Sequence, residues 1–474
     1  MAIKFYNTLS KSKEVFKPIE NKKVRMYTCG PTVYDYIHIG NLRAYVFSDI
    51  LRRYLEYSGY NVKKIVNITD VGHLTHEEIE SGIDKMEKAA KREDKDVWDI
   101  AEFYINAFKK DCEEMNIKEP YKLPRATEHI KEMIKLVEKL IEKKYAYISN
   151  GSVYFDVHKF KDYGKLSGNT IEKLEAGRGG RVKHNPDKKS QLDFALWIKN
   201  ENHIMKWESP WSVGYPGWHL ECSAMSMKYL GETIDIHTGG EDNIFPHHES
   251  EIAQSEAANG KKFVNCWMHV RHLLIEGEKM SKSLDNFYTL QDLIDKGHSP
   301  KTIRYLFLNA HYRKPMNFTM ESLGAAKKTL DSLIEFMEKL DEVDGKKNPI
   351  VKELIENVKM EFRKAMDDDL NTPIALSAIH NFISKINKLI DEKNMCKRDA
   401  KKIKKTMQEF DNVLGVLKID KINVPKEVKK LLKQRRISRK NKDFKESDEI
   451  REKIKKLGWE VQDTEKGQKI IKRI

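Results

Sequence analysis

Cysteine is scarce in this chain. Five thiols in 474 residues, at positions 29, 112, 222, 266 and 396, are too few, too scattered and of the wrong parity for a disulfide scaffold. Such usage fits a reducing cytoplasm in which thiols serve as ligands or as packing. Also missing is any run of about 18 apolar residues, which excludes a helical membrane span. The opening stretch, MAIKFYNTLSKSKEVF, lacks the apolar core of a secretory leader, so a cytoplasmic protein is expected. No internal repeat is visible, which argues against a solenoid. What remains is a hydrophilic chain with a mean hydropathy of −0.67 and 55.5 kDa of mass, long enough for several domains and a sizeable core.

Charge is plentiful and unevenly placed. The formal net charge is +14, yet residues 401–474 alone hold 24 Lys and Arg against 12 Asp and Glu. A near-neutral body with a basic end points to a polyanionic partner, nucleic acid first. The competing reading is a solvated, lysine-rich helical tail.

The coarse organisation follows from periodicity. Residues 24–28 (VRMYT) read as a short strand ending at Cys29-Gly30-Pro31. Helical spacing then runs through Leu42, Val46, Ile50, Leu51 and Leu55 to Ser58-Gly59-Tyr60, and NVKKIVNIT reads as the next strand. Strand, glycine-bearing turn, helix, strand opens a nucleotide-binding α/β unit, whose ligands lie at the carboxyl ends of its strands. From about residue 115 the pattern changes. A helical face through Ile130, Met133, Val137 and Leu140 precedes two strand-like pieces flanking Asn150-Gly151, a two-residue hairpin signal. Residues 177–190 form a Gly- and Lys-rich loop, and TIDIHTGG (233–240) restores the strand pattern. From about 320 to 418 the chain reads as helical, interrupted by MDDDLNTP (366–373).

Four segments carry chemistry. TCGPTVYDYIHIGNLR (28–43) sets a thiol beside His38, Gly40 and Asn41 at a helix start, where free backbone N–H groups favour anions. GWHLECSAM holds Cys222, and FPHHESEIAQS holds His247 and Glu251, which share one face if helical. Two thiolates, an imidazole and a carboxylate suit zinc. Taken singly, each also reads as an ordinary buried thiol or surface histidine, and 193 residues separate Cys29 from Cys222. The fourth segment, EKMSKSLDN, sets Lys279 and Lys282 around serines on a polar loop. Such paired ammonium groups neutralise charge on transferring phosphates.

In this order, CGPTVYDYIHIGN, NITD (67–70), PGWHLECSAM, FPHHESEIAQS, KMSKS and AMDDDLNTP resemble the class I aminoacyl-tRNA synthetases, and within them the cysteinyl-tRNA synthetases. The resemblance covers nearly the whole chain. It implies an α/β fold: a Rossmann-type catalytic domain (1–118 and 206–275) with an inserted α+β block (119–205). A KMSKS-bearing linker (276–320), a tRNA-binding helical bundle (321–420) and a basic anticodon-binding domain (421–474) follow. It also implies one zinc ion held by Cys29, Cys222, His247 and Glu251. The catalytic and ATP-binding set would be His38, Gly40, Asn41, Lys279 and Lys282, with Mg²⁺ accompanying ATP. Thr69, Trp218 and His237 are expected to wall the amino-acid pocket; for Trp218 and His237, core packing is the competing role. The first signature usually ends in a second histidine, and here that place is Asn41, a neutral amide that still offers a donor.

The implied reaction joins L-cysteine to the 3′ end of tRNA(Cys) through a cysteinyl-adenylate, in a protein expected to be a monomer. An apolar pocket separates cysteine from alanine or serine by only about 1–3 kcal/mol. A metal that takes the substrate thiolate as a further ligand removes that limit, because a hydroxyl is a far poorer ligand. Cys29 would then place recognition beside activation, with no editing domain needed. Two thiolates and a carboxylate on Zn²⁺ leave one net negative charge, and a substrate thiolate adds another. Two alternatives remain: a cysteine ligase acting on an amino sugar, and a non-catalytic tRNA-binding zinc protein.

Overall fold

The computed structural model describes residues 2–71, 85–176, 185–280, 286–417, 425–441, 443–464 and 467–472. It comprises two compact units, Met1–Val416 and Leu417–Ile474. The centre of the first is a four-stranded parallel sheet. Its order across the sheet is Val264–Val270, Ile234–Gly240, Lys23–Thr28, Asn61–Val66. Lys23 and Asn61 open their strands in solvent. From Met26 and Lys64 onward almost every side chain is buried, as expected of parallel strands covered on both faces. The predicted helix spans Ile39–Tyr57 and buries the anticipated stripe of Leu42, Val46, Ile50, Leu51 and Leu55.

Register decides what meets at the sheet's carboxyl edge. Met26, Tyr27 and Thr28 pair with Ile236, His237 and Thr238 on one side and with Lys64, Ile65 and Val66 on the other. The three chain segments that follow these strands therefore emerge together. Gly30 is fixed by this crowding: a Cβ there would lie 1.5 Å from the Asn67 carbonyl oxygen.

Between the two halves of the sheet lies the inserted block. The Ile130–Glu142 helix precedes a five-stranded antiparallel sheet. Asn150 (φ 49°) and Gly151 (φ 84°) make the predicted two-residue turn between Ala146–Ser149 and Ser152–Phe155. The block extends beyond the expected limit at 205. Its strand Val213–Pro216 pairs with Phe194–Lys199, so the block ends only where the Trp218–Leu230 helix begins. A short, glycine- and proline-containing strand carries too little periodicity to be assigned from sequence. Most of the Gly- and Lys-rich 177–190 loop lies outside the described residues.

Beyond the second half, Leu273–Ile275, Glu278–Lys279 and Met316–Phe318 form a small sheet that carries Lys279. Four helices follow: Met320–Lys339, Ile350–Asp367, Thr372–Asp391 and Lys397–Leu414. The MDDDLNTP interruption has a physical cause. Asp369 (φ 65°) and Leu370 (φ 54°) both adopt the left-handed region, which costs non-glycine residues roughly 1–2 kcal/mol each. Asp369 offsets that cost by accepting from the Tyr6 N–H at 2.8 Å, the Tyr312 hydroxyl at 2.5 Å and Arg313 Nε at 2.6 Å.

A second buried carboxylate ties the bundle to the catalytic domain. Asp49, within the Ile39–Tyr57 helix, accepts from Arg53 Nε at 2.7 Å and from Arg304 Nη2 at 2.6 Å. The same guanidinium groups donate to the carbonyls of Asn412 and Leu414, at the end of the last bundle helix. Burial works to raise the Asp49 carboxyl, but Arg304 and Arg53 outweigh it and hold it below its ordinary range.

In the second unit, the helices Lys426–Lys440 and Phe444–Lys456 and the hairpin Trp459–Thr464/Gly467–Lys472 share a core of Val428, Ile450, Ile454, Trp459 and Val461. Within RRISRKNKDF, Arg435 is buried whereas Arg436 and Arg439 are exposed. That leaves the latter two as this stretch's accessible arginines.

Asp49→Asn strands two buried guanidinium groups without their counter-charge. Loss of one partner from such a cluster costs about 3–5 kcal/mol. Urea unfolding of the variant should show that loss, and a change below about 1 kcal/mol would mean that the carbonyl contacts alone sustain the cluster.

Candidate functional site

A cleft of about 410 Å³ opens at the carboxyl edge of the parallel sheet, with Thr28–Pro31, the start of the Ile39–Tyr57 helix, Thr69, Trp218, Gly239–Asn243 and Met280 on its walls. At its base, Cys29, Cys222, His247 and Glu251 bring one ligand atom each to within 4.8 Å of one another. Each comes from a different structural cause. Cys29 follows the central strand, with its N–H donating to the Thr238 carbonyl at 3.2 Å. Cys222 stands one turn into the Trp218–Leu230 helix. His247 lies in a kinked turn just before the Glu249–Asn259 helix, whose first turn carries Glu251.

Separations within the group fit one small ion. His247 Nε2 lies 3.5 Å from Cys222 Sγ and 3.1 Å from Glu251 Oε1, and Cys29 Sγ lies 3.9 Å from the same oxygen. Bond lengths of about 2.0–2.3 Å to tetrahedral zinc imply edges of about 3.3–3.8 Å. Electrostatics agrees. Burial pushes the Cys29 thiol well up and raises Cys222 and the Glu251 carboxyl, while it lowers His247 to about 3. With only protein neighbours all four are therefore driven toward neutrality; a divalent cation would oppose that pull on the two thiols and the carboxyl and would favour the neutral imidazole that burial already favours.

Histidines support this base. His219 Nδ1 meets His247 Nδ1 at 2.9 Å, which turns His247 Nε2 toward Cys222 and Glu251, and Trp218 stacks on the His247 ring at 4.4 Å. His248 Nε2 lies 3.1 Å from Cys29 Sγ, and its Nδ1 continues to His269 Nε2 at 2.7 Å and on to Thr8 Oγ1. His237 Nε2 contacts Glu251 Oε2 at 3.0 Å, with its ring stacked on Trp267. Cys29 and Glu251 also form a donor set with His237 and His248. Those two histidines are fully buried behind the cleft, whereas Cys222 and His247 line it.

His237 thus departs from its expected place: it stands behind Glu251 and orients it, and is not on the pocket wall. Trp218 and Thr69 are on that wall, with Thr69 Oγ1 donating to Glu221 Oε2 at 2.7 Å. His38, Gly40, Asn41 and Lys279 line the same cleft, and the Lys279 ammonium is exposed, 3.9 Å from Asp242. Lys282 lies outside the described residues. Sequence reasoning noticed His219 and His248 beside the expected ligands but gave them no role, and it missed His269. The signal available was the His247-His248 doublet and the histidines of neighbouring strands, where His237 pairs with Trp267 and Gly239 with His269.

Comparison with known proteins adds independent findings. The family model for the tRNA synthetases class I (C) catalytic domain matches residues 15–328, the DALR domain 361–418, and the cysteinyl-tRNA ligase anticodon binding domain 423–470. The cysteine–tRNA ligase of Caldicellulosiruptor saccharolyticus is 44% identical over 99% of both chains. That of Finegoldia magna is 46% identical over 98% of both. Among solved structures, Mycobacterium tuberculosis methionyl-tRNA synthetase in complex with methionyl-adenylate is similar in fold, with a TM-score of 0.60. It is 14% identical, and the match spans 83% of this chain and 90% of that one. A full-length match that includes the basic end leaves no place for the amino-sugar and non-catalytic readings. The parallel sheet, its cleft and these relatives agree, and the chain belongs to the cysteine–tRNA ligases, class I aminoacyl-tRNA synthetases.

Proposed function

We propose that this enzyme activates L-cysteine as cysteinyl-adenylate and passes it to the 3′ end of tRNA(Cys), selecting its substrate through zinc held by Cys29, Cys222, His247 and Glu251. One observation carries the reading: three of the four donors, Cys29, Cys222 and His247, line the same cleft as the His38-bearing helix start. When bound, zinc supplies a Lewis-acid centre that favours a thiolate over a hydroxyl. The protein's task is then to align the substrate. Trp218 and Thr69 line the cleft beside the donors, of which Cys222, His247 and Glu251 are buried and Cys29 is half-buried.

In the first step the cysteine carboxylate attacks the α-phosphorus of ATP. A P–O bond forms to the carboxylate oxygen as the α–β bridging bond breaks, and pyrophosphate carries away the charge. No protein nucleophile takes part, so catalysis rests on positioning and charge stabilisation. His38, with the backbone of the helix start, binds the phosphate region, while Lys279 and Lys282 stabilise the departing pyrophosphate. Mg²⁺ travels with ATP, held chiefly by its phosphates. In the second step a ribose hydroxyl of the tRNA terminus attacks the mixed anhydride and releases AMP. The basic C-terminal unit reads the anticodon, with Arg436 and Arg439 exposed for planar contacts to bases. The enzyme acts as a monomer.

Three outcomes are expected. Zinc-loaded protein should catalyse cysteine-dependent ATP–pyrophosphate exchange, chelation should lower it at least about 100-fold, and added Zn²⁺ should restore it. Exchange that survives complete removal of the metal, verified by atomic absorption, would refute the metal's part. Cys222→Ser should lose at least half of its zinc and at least about tenfold of its preference for cysteine over serine; intact discrimination at reduced zinc content would defeat the selection mechanism. A chain ending at Val416, the limit of the first unit, should retain exchange but lose at least about tenfold in tRNA charging. Equal charging with and without residues 417–474 would contradict anticodon reading there.

A further inference from the structure

We propose that the Tyr27 hydroxyl is a donor held for the Cys222 sulfur: with zinc bound, it gives its hydrogen bond to the Cys222 thiolate and takes up part of the centre's negative charge. Tyr27 is thereby a positioning residue that acts on the metal through a ligand. The inference rests on the proposed reading in one respect, that Cys29, Cys222, His247 and Glu251 hold zinc.

The sheet decides where this side chain goes. Tyr27 lies on the central strand Lys23–Thr28, where side chains alternate between the two faces, so it shares its face with Cys29, two residues on. Across the sheet its register partner is His237. The two rings have centroids 5.1 Å apart, and His237 Nε2 in turn contacts Glu251 Oε2 at 3.0 Å. The phenol therefore stands among the donors on their inner side. It is fully buried and is not one of the residues that line the cleft, so a substrate bound there does not meet it.

Its hydroxyl is left over. A buried phenol normally keeps a hydrogen-bond partner, yet Tyr27 Oη finds none of ordinary geometry among the described residues. What faces it is the donor group: Cys222 acts on it directly, and Cys222, Cys29 and Glu251 all work to keep its proton in place. A thiol is a weak acceptor and a thiolate a strong one. A divalent cation converts Cys222 from the first to the second. The event that puts negative charge on the sulfur thus supplies the partner that the hydroxyl lacks. The two sulfurs also differ in their other neighbours. Cys29 Sγ meets His248 Nε2 at 3.1 Å, whereas Cys222 Sγ meets His247 Nε2 at 3.5 Å, a nitrogen claimed by the ion once His247 is a ligand. With Tyr27 beside Cys222, each thiolate has a donor of its own behind it.

The test uses Tyr27→Phe in the full-length chain, which keeps the ring and removes only the oxygen, with and without metal. Stripped of metal, the variant should melt at or above the wild-type temperature, because an unpaired buried hydroxyl is a cost. Its zinc affinity, measured by competition with a chromophoric chelator, should be at least about fivefold weaker. In cobalt-substituted protein the sulfur-to-cobalt charge-transfer band should move to longer wavelength, since a thiolate that has lost a hydrogen bond yields its electron more readily. A tyrosine that merely fills space would leave that band in place. An unshifted band, or an affinity loss smaller than about fivefold, overturns the proposal. So does a metal-free variant that melts below the wild type, which would mean that the hydroxyl already has a partner. A wild type that takes up neither zinc nor cobalt would overturn the proposed metal centre and this inference with it. Equal uptake by wild type and variant overturns the inference alone.

Discussion

At the end of the central strand, the Thr28 hydroxyl meets the Thr238 hydroxyl at 2.8 Å, and the next N–H, that of Cys29, is bonded to the Thr238 carbonyl. This crossing point governs the rest of the site. It closes the pairing of two strands separated by about 200 residues of sequence and sets Cys29 opposite the chain that returns with His247 and Glu251. Slippage by one residue would reverse which side chains face which side of the sheet, and no donor group would form. The inserted block is tolerated because its own antiparallel sheet and helix satisfy its backbone, leaving the parallel pairing undisturbed.

Charge at the base of the cleft is handled by neighbours and not by exposure. Glu251 uses both carboxylate oxygens, one toward His247 and the other toward His237. A metal centre with two thiolates and one carboxylate is net negative, and contacts to these oxygens spread that charge into a shell of imidazoles. The surrounding aromatic rings, Trp218 over His247 and Trp267 over His237, exclude water and hold those imidazoles in place. The same cleft is lined by Trp218, Cys222 and His247 and by His38, Asn41 and Lys279.

How much of this was legible beforehand varies with the range of the physics involved. The strand, helix and strand at residues 23–66 and the Asn150-Gly151 hairpin rest on local periodicity and turn chemistry, and the sequence displays both. The donor quartet came from residue types together with the likeness to a known family; spacing alone did not bring Cys29 and Cys222 together. What stayed hidden depends on tertiary burial. His237 was expected on the pocket wall with core packing as its competing role, and in a strand buried on both faces it lies in the interior beside Glu251. Arg435 could not be told from Arg436 until helix packing buried one and exposed the other. The left-handed pair Asp369–Leu370 carried no glycine to announce it, since side-chain acceptors and not backbone permissiveness stabilise it.

The Asp49 cluster sits on the helix whose start follows His38. From Ile39 to Asp49 the helix advances about 15 Å along its axis, one residue at a time, each turning it by about 100°. His38 stands at one end of this interval, and the carbonyls of Asn412 and Leu414 are held at the other. The distance between them is therefore a phase as well as a length. One residue added or removed within it would leave the helix intact yet point either the imidazole or the guanidinium groups in the wrong direction.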